Sequence, residues 1–131
     1  MNGRRRRLAM IGAAAAVLLM LCVGAGLVEA RTKWVRRWVD LALYDNRYHY
    51  LPCSQQPPLA EVERVLREHQ DVIARIEAVH PGFVGVEVHP CGDGGNGSIT
   101  FWYASRADRQ AIEHIIGSNT FFGIPYNLNN R

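Results

Sequence analysis

Residues 83–104 read FVGVEVHPCGDGGNGSITFWYA, and this stretch decides the fold. Its two ends, residues 83–89 and 98–104, alternate apolar side chains with other types, which is the period of a β-strand with one buried face. The Gly-rich run between them, residues 90–97, is typical of a hairpin loop. We therefore predict an antiparallel hairpin whose inner face carries Val84, Val86, Val88, Ile99, Phe101 and Tyr103.

The opposite face of this hairpin is a candidate binding surface. Besides Gly85, it carries Phe83, Glu87, His89, Thr100 and Trp102. An open sheet face with two large aromatic side chains has two interpretations. Either residues 31–50 cover it, or it is a contact surface for a protein partner.

Two helices flank the hairpin. Residues 59–79 place apolar side chains at helical spacing, and His80, Pro81 and Gly82 end the pattern. After the hairpin, Ser105 and Asp108 form a capping box that opens a helix through Ile116, which Gly117 ends. Shorter patterns predict strands at residues 47–51 and 121–126, and a polar tail at residues 127–131.

This order predicts an α+β fold of the β-α-β-β-α-β, ferredoxin-like kind. Such a fold has a four-stranded antiparallel sheet with two helices on one face. Cys53 follows the first predicted strand and Cys91 the second. Because those two strands run parallel in this topology, their ends meet at one edge, and a disulfide between the two cysteines is expected. The fold is shared by unrelated proteins and carries no function by itself.

The N-terminal region predicts membrane targeting. A basic tail, residues 1–7, precedes residues 8–28, which contain no charge, Asn, Gln or Pro. As a helix, 21 residues span roughly 31 Å, the thickness of a bilayer core. Two interpretations remain: a transmembrane signal anchor, or the apolar region of a signal peptide cleaved after Ala30. The length of the run and the basic residues behind it favour the anchor.

The segment after the apolar run, residues 31–45, predicts a juxtamembrane amphipathic helix. Trp34 and Trp38 fall on one face, with Arg36, Arg37 and Asp40 on the other. The aromatic face belongs either at the membrane interface or against the domain, which we place at residues 46–131. Basic residues are nearly balanced across the apolar run, so orientation rests more on the cysteines. They favour a cytoplasmic N-terminus and an extracytoplasmic domain.

The distribution of charge excludes a nucleic-acid partner. The net charge is +3, but four of the 15 basic residues lie in the tail and one of the 12 acidic residues is Glu29. Residues 31–131 therefore carry 11 of each sign and no basic stripe. The basic excess serves membrane insertion instead.

No pattern predicts catalytic, cofactor-binding or metal-binding residues. Gly92, Gly94 and Gly97 match the dinucleotide fingerprint in spacing, but a strand follows them where a helix N-terminus is needed. His80, His89 and Cys91 lack the spacing of metal sites. We expect a membrane-anchored extracytoplasmic module that contacts the bilayer through residues 8–28 and binds a protein partner. The alternative is a secreted small enzyme or metal-binding domain released by cleavage after Ala30.

Overall fold

The computed structural model describes residues 3–131, with side chains from Arg7 onward. Residues 1 and 2 and the side chains of residues 3–6, all in the predicted basic tail, lie outside this description. The chain forms two compact units, Met1–Trp38 and Val39–Arg131.

The first unit is dominated by helix α1 (Gly3–Thr32). The predicted apolar helix over residues 8–28 is confirmed and extends at both ends. Its stretch Arg7–Thr32 is long and apolar enough to cross a membrane, and the most apolar window of that stretch is fully exposed. Among the described residues it is the one helix that meets this test of length and composition.

A short amphipathic helix, α2 (Trp34–Leu43), follows α1. Lys33 separates the two helices with a left-handed backbone, φ 49°. Of residues 31–45, for which an amphipathic helix was predicted, ten lie in α2. No residue of α2 is buried.

The second unit is an α+β fold with a four-stranded mixed sheet in the order β1-β2-β4-β3. Strands β1 and β2 are antiparallel, β2 and β4 are parallel, and β3 and β4 are antiparallel. The elements are a 3₁₀ turn (Cys53–Gln55), α3 (Leu59–Glu68), α4 (Gln70–Glu77), β1 (Gly85–Cys91), β2 (Asn96–Tyr103), α5 (Arg106–Ile116), β3 (Thr120–Phe121) and β4 (Ile124–Asn130).

The predicted all-antiparallel sheet is wrong at its centre. Helix α5 and the short strand β3 both lie between β2 and β4 along the chain. This long crossover connection allows the neighbouring strands β2 and β4 to run parallel. The ferredoxin-like order is not confirmed, because its first strand does not form. Residues 47–51 contribute one antiparallel bridge, between Arg47 and Leu128.

Along the edge of β4 that carries this bridge, side chains make hydrogen bonds that the backbone of a paired strand would otherwise make. Arg47 and Leu128 exchange both backbone hydrogen bonds. On either side of this pair, the Asn46 side chain accepts from the Asn130 N–H at 2.7 Å, and the Asn127 side chain accepts from the His49 N–H at 3.2 Å. Because amide side chains take bonds that a second strand would make with its backbone, the ladder stops at one bridge.

The C-terminal prediction is also corrected. Residues 120–130 form a hairpin, with Phe122 and Gly123 at positive φ in its turn. The predicted polar tail belongs to β4, where Asn127 and Leu128 are buried. A strand buried on two sides can carry asparagines where their amides find hydrogen-bond partners.

Three helices, where two were predicted, cover the inner face of the sheet. The predicted helix over residues 59–79 is divided at His69, whose ring stacks on Phe122 at 3.4 Å between centroids. Helix α5 begins and ends as predicted, with the Ser105 side chain accepting from the Asp108 N–H and Gly117 in the left-handed region. The core comprises Val62, Val65, Ile73, Ile76, Val84, Ile99, Phe101, Tyr103, Ile112, Phe121, Ile124 and Leu128.

Candidate functional site

The candidate site lies on the outer face of the sheet, defined here as the face opposite the core. Strand register pairs Gly85 with Trp102, Glu87 with Thr100 and His89 with Ser98 across β1 and β2. Strand β4 adds Asn127 beside Thr100 and Asn129 beside Trp102. The hairpin prediction therefore placed Glu87, His89, Thr100 and Trp102 on one face correctly.

One half of this face is covered by residues 46–56, the cover segment. Ser98 has no exposed surface, and Thr100 and Asn127 retain 4% and 7%. His49 donates its N–H to the Asn127 amide oxygen, and that amide donates to the Thr100 hydroxyl at 3.5 Å. Thr100, predicted as a contact residue, therefore lies in the buried part of this face.

The disulfide between Cys53 and Cys91 ties the cover segment to β1. The two Cα atoms are 5.4 Å apart. Asn96 donates from its side chain to the Cys53 carbonyl at 2.9 Å, which holds the same segment to β2. The predicted pairing is present, although the parallel first strands that were expected to bring the two cysteines together are not.

Beyond the disulfide, the chain passes from the outer to the inner face of the sheet. Gly97 donates its N–H to the Pro57 carbonyl at 2.9 Å, and Leu59 donates to the Gly95 carbonyl at 2.8 Å. These bonds lead the chain round the end of the β1–β2 hairpin into α3. The cover segment is therefore fixed at both of its ends.

His49 lies at the centre of the covered half. Its Nδ1 accepts from the Leu51 N–H at 3.0 Å, so the neutral ring carries its hydrogen on Nε2. Burial lowers the pKa of His49, and repulsion from His89 lowers it further. The fold thus favours a neutral imidazole at this position of the cover segment.

The other half of the outer face remains open around Trp102. The indole lies across Gly85, and a Cβ added at that glycine would come within 2.2 Å of the indole Cζ2. Only glycine allows this approach, so the two residues form one packing unit. Trp102 nevertheless stays partly exposed.

Charged and polar groups also lie on the outer face. Arg131 pairs with Glu87, and the two side chains are 50% and 40% exposed. Because Arg131 follows β4 and Glu87 lies on β1, the pair must bridge across β2 on the outer face. His89 is exposed on the next outward position of β1. We call Glu87, His89, Trp102 and Arg131 the open patch.

Phe83 lies outside β1 and has a different neighbour. It is 55% exposed, and its ring is 4.6 Å from that of His80. The His80 Nδ1 is 3.1 Å from a carboxylate oxygen of Asp108, at the start of α5. Burial works against the charge of Asp108, but hydrogen bonds from His80 and Ser105 outweigh it and lower the pKa of the carboxyl group.

An ion-pair cluster that the sequence did not reveal holds the start of the second unit to α5. The guanidinium of Arg109, almost fully buried, contacts the Asp45 carboxylate at 3.0 Å and Glu113 at 2.8 Å. Tyr103 donates its hydroxyl to the Asp45 carbonyl, and burial together with the Asp45 charge raises the pKa of Tyr103. Arg109 and Glu113 at i, i+4 were a visible signal, but nothing local marks Asp45 as their partner.

Among residues 3–131, no three side chains of the His, Cys, Asp or Glu types are grouped to hold a metal ion. Gly92 and Gly95 shape the turn between β1 and β2 with positive φ angles, and that turn leads into a strand. A helix N-terminus, which phosphate binding uses, does not follow it.

No family model, no curated protein and no solved structure matches the chain. Support for a function therefore comes from the residues of the chain and their contacts.

Proposed function

We propose that the chain is a single-pass membrane protein that binds a protein partner through the open patch. In this proposal α1 spans the bilayer, the N-terminus is cytoplasmic and the α+β unit lies outside the cytoplasm. The observation that carries the binding function is Trp102, which is held across Gly85 and still partly exposed.

Two features support the location. Residues 8–28 form an uncharged, exposed part of a helix long enough to span a bilayer core. Cys53 and Cys91 are joined in the α+β unit, and disulfides persist in oxidising compartments. A chain anchored by α1 with its domain outside the cytoplasm satisfies both.

The open patch has the make-up of a binding centre. Trp is among the residues that most often dominate binding energy, and such residues sit where contact excludes water. Because Gly85 and Trp102 pack as a unit, little side-chain freedom remains to be lost on binding. The Glu87–Arg131 pair and His89 supply a polar rim. This chemistry fits a partner that presents an apolar side chain flanked by polar groups.

Site-specific photocrosslinking of the full chain in its own membranes tests the proposal. A crosslinker replaces Asn129, the β4 neighbour of Trp102, or Phe122, an exposed aromatic in the β3–β4 turn. We expect a product from position 129 that Trp102→Ala abolishes and Phe122→Ala preserves. Position 122 should give no such product.

A product that is indifferent to Trp102→Ala, or that forms equally from both positions, would overturn the open patch as the site. Folding of each variant is checked by the mobility of the chain with and without reductant, which reports the Cys53–Cys91 bond. Thermal unfolding followed by circular dichroism provides a second check.

A secreted enzyme or metal-binding domain, released by cleavage after Ala30, is the second candidate. The observation that favours an enzyme is the His80–Asp108 contact, because a carboxylate that orients a half-exposed imidazole is a common arrangement for a general base. The mass of the mature chain separates the candidates. A soluble form without residues 1–30, with activity or bound metal lost on His80→Ala, would support secretion; a full-length chain in membranes supports the anchor.

A further inference from the structure

We infer that α2 lies in the headgroup region of the bilayer, with Trp34 and Trp38 facing the acyl chains. This inference rests on α1 as a membrane span, which is part of the proposed function. It adds a second membrane contact, which the apolar helix alone does not imply. The apolar face of α2 contacts the lipid surface next to α1.

The junction between the helices supports a change of direction at Lys33. The Lys33 carbonyl accepts from the Arg37 N–H at 2.9 Å, so Lys33 is the N-cap of α2. Its positive φ breaks the run of right-handed helical backbone angles there. A helix that restarts after a left-handed residue does not continue the axis of the preceding one.

Glu29, near the end of α1, fixes this junction. Its carboxylate accepts from the backbone N–H groups of Val35 at 2.7 Å and Arg36 at 3.1 Å. These are second and third positions of α2, where an unpaired N–H needs a partner and where negative charge is stabilising. One acidic side chain of α1 therefore caps the next helix.

The apolar face of α2 is exposed. Trp34, Val35, Trp38 and Leu41 have exposed fractions of 67%, 50%, 59% and 40%. At 100° per residue, the six apolar residues from Trp34 to Ala42 occupy an arc of about 160°. Asp40 lies on the opposite side of the helix.

The polar side of α2 is the side used for protein contact. The Tyr50 hydroxyl donates to the Asp40 carboxylate, and Asn46 donates its N–H to the Asp40 carbonyl at 2.8 Å. Helix α2 is thus joined to the chain that follows it through the side opposite the tryptophans. No residue of α2 is buried, although Val39, at the edge of the apolar face, is partly covered.

A lipid surface fits this face better than a protein does. The apolar span ends at Thr32, two residues before α2 begins, so the start of α2 is already at the membrane boundary. Tryptophan concentrates at that boundary, and an amphipathic helix with flanking basic residues binds anionic lipid. Arg31 and Lys33 supply such charge at the junction.

Fluorescence of the full chain in vesicles tests the inference. The vesicles contain phosphatidylcholine and phosphatidylglycerol, with or without bromine near the headgroup end of the acyl chains. Trp34→Phe with Trp102→Phe leaves Trp38 as the sole tryptophan. On an axis continuing α1, Trp38 would lie about 9 Å beyond Thr32 and outside bromine contact; in a flat α2 it stays within reach.

We expect bromine to lower Trp38 emission about twofold. The matched control, Trp34→Phe with Trp38→Phe, leaves only Trp102 and should lose little emission. Vesicles that float with the protein but do not quench Trp38 would overturn the inference while the anchor stands. The inference is overturned in either case: acrylamide in the water quenches Trp38, which shows that the side chain faces water, or leaves it unquenched, which shows that a second copy of the chain or another protein covers it. Failure of the protein to float would instead contradict the anchor.

Discussion

Strand β2 has buried residues on both of its faces, yet the two faces differ in chemistry. On the inner face, Ile99, Phe101 and Tyr103 pack against helices in one apolar cluster. On the outer face, Ser98 and Thr100 are almost as inaccessible, but they lie under a segment held by hydrogen bonds and a disulfide. The difference shows that burial alone does not locate the core. Apolar burial stabilises the fold, whereas polar burial fixes the position of a cover.

The largest expected effect comes from removing an inner side chain. Phe101→Ala should destabilise the unit by about 3–5 kcal/mol, because a fully buried ring in contact with Phe121 leaves a cavity. Thr100→Ala, the adjacent residue on the other face, removes one weak hydrogen bond and should cost about 1 kcal/mol. Guanidinium unfolding of the full chain in detergent, followed by near-ultraviolet circular dichroism, measures both. Equal losses would contradict the distinction between the faces.

An intermediate effect is expected where the outer face is packed most tightly. Gly85→Ala places a methyl group against the Trp102 indole and should cost about 1–3 kcal/mol. Gly94→Ala, in the hairpin turn, meets nothing within 4 Å and should change stability by less than about 0.5 kcal/mol. The double variant Gly85→Ala with Trp102→Ala shows whether the stability lost in Gly85→Ala comes from a clash with the indole or from replacing the glycine in the strand. If Trp102→Ala does not recover part of the Gly85→Ala loss, the indole is not the group that requires glycine.

The smallest expected effect is a pH dependence of the covered half. The folded state lowers the pKa of His49 from its ordinary 6.5, so the unfolded state binds a proton there more readily. The contribution of His49 to stability is therefore complete above pH 6.5 and is lost as the pH falls through the lowered folded pKa. His49→Gln should flatten the stability curve in that window.

Asp108→Asn provides the contrast for this experiment. The folded pKa of Asp108 lies below its ordinary 3.8, so its contribution is present above that pH and is lost below it. The variant should therefore flatten only the acidic end of the curve. A His49→Gln curve that runs parallel to that of the unaltered chain at and below pH 6.5 would show that His49 is not held neutral by the cover.

Local signals explain which elements could be predicted. The bounds of α5 follow from Ser105, Asp108 and Gly117, each of which acts within one helical turn. The β1–β2 hairpin follows from alternation in contiguous residues. Strand β4 was missed beyond Tyr126 because Asn127, Asn129 and Asn130 resemble a solvated tail. Whether asparagines suit a buried strand depends on their hydrogen-bond partners. The partner of Asn127, His49, lies 78 residues away from it along the chain.

The candidate site likewise has a part that local sequence signals predict and a part that they do not. Alternation along β1 and β2 was enough to place Glu87, His89 and Trp102 together. It could not show that Thr100 is covered, because the cover segment comes from a distant part of the chain. It also could not assign Phe83 to His80, since that contact depends on where the strand begins.

The sequence by itself determined the long apolar helix, the amphipathic helix behind it, the hairpin, α5 and the only possible disulfide outside the apolar run. Each of these depends on composition or on residues close along the chain. Tertiary structure alone decided the parallel pairing of β2 with β4, the cover over Ser98 and Thr100, and the packing of Trp102 on Gly85. Such features depend on which distant segments meet, and that is settled by the combined packing and hydrogen bonding of the whole unit.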